Sequence, residues 1–125
     1  MIHRLTKSAV LFTALAVALS AAFPAIAAPS TSQGQISVVQ VVQMLDKAPT
    51  DKTAHQVLTA YLAGVGEAAG AVASIGGASC GTSLSLSAAD AREALRVAAV
   101  GQNPVEIPAT PLIVRDMLDR AKCKR

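Results

Sequence analysis

The sequence predicts an all-α protein: a small four-helix, bundle-like domain with one disulfide, preceded by a signal peptide. Three observations carry this. Apolar residues recur at i, i+3, i+4 and i+7 in four separate stretches, each bounded by capping residues, glycine or proline. The apolar content of 52% contains only 2% aromatics and no tryptophan. Two cysteines, Cys80 and Cys123, both follow a leader of export type. A chain of 125 residues has room for one domain.

The leader comes first. His3, Arg4 and Lys7 make a positive start, 9–22 is an apolar run, and Ala25-Ile26-Ala27 fits the small-x-small cleavage pattern, so 1–27 is expected to be removed. The competing reading is a retained membrane anchor, for which the run is short of the ~20 residues that span a bilayer. Residues 28–36, with Pro-Ser-Thr-Ser-Gln-Gly-Gln over 29–35, are polar and aperiodic and are expected to form a flexible lead. The helical domain then occupies 37–125.

Its first helix is expected over 37–47. Val38, Val41, Val42 and Leu45 share one face, Ser37 is positioned as N-cap and Pro49 as a stop. Ile36, Val38, Val39, Val41 and Val42 are β-branched and offer a strand instead, but without clean alternation. The central helix, capped by Thr50 or Asp51, runs to about Ser74, and the rest of the domain is organised around it. Leu58, Tyr61, Leu62, Val65, Ala69 and Val72 form its inward stripe. Glycine costs a helix about 1 kcal/mol relative to alanine, so Gly64, Gly66 and Gly70 imply close packing that offsets the loss. A helix apolar on nearly every side is expected to be surrounded by others. The membrane alternative is weakened by Asp51, Lys52, His55, Gln56 and Glu67.

A Gly-rich loop follows at 76–83, and Leu84 and Leu86 alternate with serines before the next helix. Ser87-Ala88-Ala89-Asp90 resembles a capping box. That helix is expected to run from Ala88 to about Val100 and stop at Gly101, with Ala91, Ala94, Leu95, Ala98 and optionally Val97 inward and Arg92, Glu93 and Arg96 outward. The last helix is expected to start with Thr110 as cap and Pro111 at the first helical position. It buries Leu112, Ile113, Met117, Leu118 and Ala121, and the cations at its end, Arg120, Lys122, Lys124 and Arg125, complement the helix dipole.

Charge and residue content exclude several functions. Processing removes two cations, so the formal charge of +3 falls to +1 on nine basic and eight acidic side chains. No basic patch interleaved with aromatics remains, which argues against nucleic acid binding. Two cysteines in an exported chain pair most often as a disulfide, here closing about 43 residues. Free thiols or half a metal site is the alternative. With His55 as the one histidine left, the ligand set falls short of zinc's usual four, and no cofactor is expected. His55 is also the one imidazole base and no Gly-x-Ser-x-Gly elbow occurs, so the chain is not expected to be an enzyme. The 76–83 loop lacks the lysine of a phosphate-binding loop.

The order of features resembles the type VI secretion amidase immunity family, small exported helical proteins of Gram-negative bacteria. The resemblance runs through Tyr61-Leu62-Ala63-Gly64-Val65-Gly66-Glu67, Cys80 opening a loop, the capped helix from Ser87, Asn103-Pro104, and Cys123 close to the end. It departs from the family in lacking further cysteines in the first two helices, a proline soon after Cys80 and a proline before Cys123. The resemblance implies a periplasmic protein, often dimeric, that binds a secreted peptidoglycan amidase and blocks its groove with an inserted loop. The contact residues it implies are Gly76, Gly77, Ser79, Gly81, Thr82 and Ser83, with Asn103 and Glu106 as a second group.

Overall fold

Four helices follow one another in the computed structural model, which describes residues 28–124: α1 (Val38–Lys47), α2 (Lys52–Ile75), α3 (Ala88–Ala98) and α4 (Ala109–Arg120). The expected signal peptide lies outside the described residues. Among the described residues the fold is all-helical, as the periodicities predict, with one disulfide, Cys80–Cys123.

Helix α1 starts where Ser37 and Gln40 exchange hydrogen bonds in a capping box: the Ser37 hydroxyl accepts from the Gln40 amide, and the Gln40 side chain accepts from the Ser37 amide. Val38, Val41 and Leu45 are buried, with Val42 half-buried behind them. The segment before it, read from its sequence as a flexible lead, makes a turn. Thr31 is buried and its hydroxyl accepts from the Gln35 amide, while the Ser37 hydroxyl donates to the Pro29 carbonyl at 2.7 Å.

Asp51 caps α2, its carboxylate accepting from the amides of Thr53 and Ala54 at 2.8 and 3.1 Å. The helix has 24 residues and at 1.5 Å per residue is about 36 Å long, roughly twice its neighbours. It closes in a Schellman motif: Ala78 donates to Ala73 O, Gly77 donates to Ser74 O, and Gly77 takes the left-handed φ of 65° that this turn needs.

Each short helix touches two neighbours. Helix α1 packs on α2 and α3, and α4 packs on the same pair. Two ion pairs mark which ends meet: Arg92 of α3 reaches Asp46 at the end of α1, and Arg120 at the end of α4 reaches Asp90 at the start of α3. Helix α3 is therefore antiparallel to both. The core between them is Val38, Val41, Leu45, Leu58, Val65, Ala69, Leu95, Ala109, Ile113 and Met117.

Four expectations need correction. Helix α2 is not enclosed. It has partners on one side only, and a stripe of Val57, Ala60, Gly64, Ala68, Ala71 and Ile75 faces outward, Ile75 being 89% exposed. By length and composition it is the one helix among the described residues able to cross a membrane. Val72 is exposed, because α2 outruns the core there and Ala73 takes the inward place. Val97 is exposed as well; it lies two residues, and so about 200°, from the buried Leu95. Finally, α4 begins at Ala109 with Pro108 as an N-cap that has no side-chain bond. Backbone does the capping instead: Ala109 donates to Ile36 O and Val38 donates to Ile107 O, joining the starts of α1 and α4. Pro111 then sits in the first turn, where its missing N–H leaves no bond unmade. Thr110, freed from capping, meets the hydroxyl of Tyr61 at 2.9 Å.

Candidate functional site

The expected contact loop is fastened at several points. Cys80 and Cys123 are joined by a disulfide. Ser79 and Lys124 exchange a pair of backbone hydrogen bonds, both 2.9 Å, and Gly81 donates to Ala121 O at 2.7 Å. Lys122, between these ties, holds a left-handed φ of 53°. Helix α4 ends in its own Schellman motif, Lys122 donating to Asp119 O and Cys123 to Leu118 O. Glycine is the usual residue at that position, so lysine there is held by the structure around it. Gly76, Gly77, Ser79, Gly81, Thr82 and Ser83 are all exposed on this pinned loop.

Asn103 and Glu106 sit elsewhere. They precede α4, whereas the 76–83 loop lies against its C-terminal end. The 12 residues of α4 put about 18 Å between them, so the two groups do not form one surface. Both side chains are also engaged locally. The Asn103 side chain accepts from the Val105 amide. The Glu106 carboxylate accepts from the Ser32 hydroxyl at 2.7 Å and the Ser32 amide at 3.1 Å. These bonds, the hydroxyl's first, hold the Glu106 carboxyl below the usual carboxylate range.

Sequence reasoning missed a groove of about 680 Å³ between α2, the end of α1 and the strand-like segment before α3. Leu45, Pro49, Leu58 and Leu62 form its apolar walls, and Leu84 and Leu86 supply the opposite side. It exists because the 82–87 segment lies directly on α2. The Leu84 carbonyl is so near Gly66 that a Cβ there would stand 2.7 Å from the oxygen, and Gly70 lies under the Leu84 side chain. The signal was present in the sequence: Leu84 and Leu86 alternating with serines, opposite glycines four apart.

His55 and Glu67 both line this groove, but 12 residues of helix put about 18 Å between their backbones, too far for a base and a carboxylate to work together. Among the described residues His, Cys, Asp and Glu nowhere gather in threes. The Tyr61 hydroxyl is turned to Thr110 at the α2–α4 contact, and burial raises its pKa against the lowering effect of that hydrogen bond. What the arrangement offers is shape: a fastened loop at one end and an apolar groove along one side. Comparison with protein-family models, with curated proteins and with solved structures finds no match for this chain.

Proposed function

We propose that the exported domain is a periplasmic immunity protein that binds a secreted peptidoglycan amidase and occludes its active site. The observation that supports this reading is the fastening of the 76–83 loop by the Cys80–Cys123 disulfide together with the Ser79–Lys124 backbone pair. Inhibition by occlusion needs a segment whose conformation is fixed before the encounter, since ordering a free loop subtracts from affinity. Gly76, Gly77, Ser79, Gly81, Thr82 and Ser83 would enter the enzyme's cleft. Glycines and small hydroxyl residues suit that role by letting the backbone come close to the walls. Asn103 and Glu106, at the far end of α4, would belong to a second contact of a large partner.

The test begins with the neighbouring genes, where an amidase-like reading frame is expected, and continues with hydrolysis of purified peptidoglycan by its product. An equimolar amount of the protein is expected to stop the reaction, and reduction of the disulfide is expected to weaken the block. Undiminished hydrolysis at tenfold molar excess would remove the amidase from the proposal. A second reading, a periplasmic helical binding or chaperone-like protein with another partner, draws on the apolar groove, which an occluding loop does not use.

A further inference from the structure

We infer that the groove between α2 and the 82–87 segment seats an extended, mainly apolar peptide segment of a partner protein, with one basic side chain set against Glu67. This surface is distinct from the fastened loop, and the inference holds whether or not that partner is an amidase.

Three observations lead to it. The first is backbone chemistry. Burial alternates along the segment, with Ser83, Ser85 and Ser87 exposed and Leu84 and Leu86 half-buried, the period of an extended chain. Within the described residues the backbone amides of 82–86 make no hydrogen bond. The Leu84 carbonyl is packed against Gly66, and the other unused donors and acceptors of the segment, beside a cleft, are an edge to which an extended peptide can add itself as a strand. The second is the cleft itself. Its volume of about 680 Å³ and its leucine walls suit the alternate side chains of such a strand. The third is charge. Glu67 lines the groove and has neither an ion pair nor a hydrogen bond within the described residues. No other Asp or Glu and no Lys or Arg lines the groove, so the preferred guest carries a cation. This last point also decides against a second copy of the chain paired edge to edge, because residues 82–87 contain no cation to offer Glu67.

The experiment selects a phage library of random heptapeptides on the purified, oxidised protein and follows the bound peptides by amide hydrogen exchange. Enriched peptides are expected to alternate apolar residues and to carry one lysine or arginine, and their binding is expected to protect alternate amides within 82–86. Ala63→Arg, an exposed position on the groove wall, should weaken them at least tenfold without touching the core. Glu67→Gln should weaken them about 2- to 5-fold, the range of a solvent-exposed ion pair, and flatten their salt dependence. The inference fails if no peptide is enriched over bare support, if enriched peptides protect other amides, or if they bind the Ala63→Arg protein equally well. It fails also if the same amides become protected in the free protein as its concentration rises, which would make the guest a second copy. Displacement of the peptides by decanoate, with the 82–86 amides left exchanging, would assign the groove to an acyl chain instead.

Discussion

Replacing Gly64 and Gly66 by alanine, one at a time, separates the two things a glycine does in a helix. Both lie inside α2, two residues apart, and both forgo about 1 kcal/mol of helix stability relative to alanine. At Gly64 an added Cβ meets nothing within 4 Å, so Gly64→Ala should stabilise the protein by about 0.5–1 kcal/mol. At Gly66 the same atom would stand 2.7 Å from the Leu84 carbonyl oxygen, a backbone atom and not the flexible end of a side chain. Overpacking of this kind costs about 1–3 kcal/mol, which exceeds the helix gain, so Gly66→Ala should destabilise by about 1 kcal/mol. Gly70, where the nearest atom is a Leu84 methyl at the ordinary distance of 3.8 Å, should follow Gly64. Urea unfolding reads the difference: with a slope of about 1–2 kcal/mol/M for a domain of this size, the midpoints of the two variants should differ by about 1–2 M. If Gly66→Ala raised the midpoint as Gly64→Ala does, the contact between α2 and the 82–87 segment would be free to open, and the groove would lose its fixed wall.

Three further outcomes are expected. Reducing the Cys80–Cys123 bond, which closes 43 residues, should remove about 4 kcal/mol by chain entropy and lower the melting temperature by about 20 °C; a calorimetric shift under about 5 °C would rule out that contribution. Lys122→Gly should raise stability by up to about 1 kcal/mol, because the left-handed φ of 53° penalises lysine and not glycine, and a fall in the denaturation midpoint would contradict this. Tyr61 is the sole tyrosine, so absorbance at high pH reports it alone: its titration should lie above the ordinary value of 10.0 in the folded protein and return there in urea. Since the folded state holds the phenolic proton more tightly, the contribution is complete below pH ~10 and declines as pH rises through the folded value. Thr110→Val, which removes the hydrogen bond that lowers the pKa, should move the midpoint further up.

Helix existence and most caps were legible because they depend on residues three or four apart. Ser37 with Gln40, Asp51 with Thr53 and Ala54, and the buried face of Val38, Val41 and Leu45 are all short-range consequences of a 3.6-residue period. The start of α4 was not legible, since its first donor is satisfied by Ile36, more than seventy residues earlier in the chain. For the same reason Thr110 reads as a cap in sequence and serves as the partner of Tyr61 in the structure.

By itself the sequence determined an all-helical domain, the order of its four helices and the two sulfurs available to close it. The tertiary structure alone decided which side of α2 is covered, that Gly66 and not Gly64 lies under another backbone, and that the two candidate contact groups stand at opposite ends of α4. Periodicity records that a helix has an apolar face, but α2 is apolar on nearly every side, so its pattern could not say where neighbours would lie. Two short helices, α1 and α4, cover only part of a helix twice their length, and the groove and outward stripe are what that mismatch leaves.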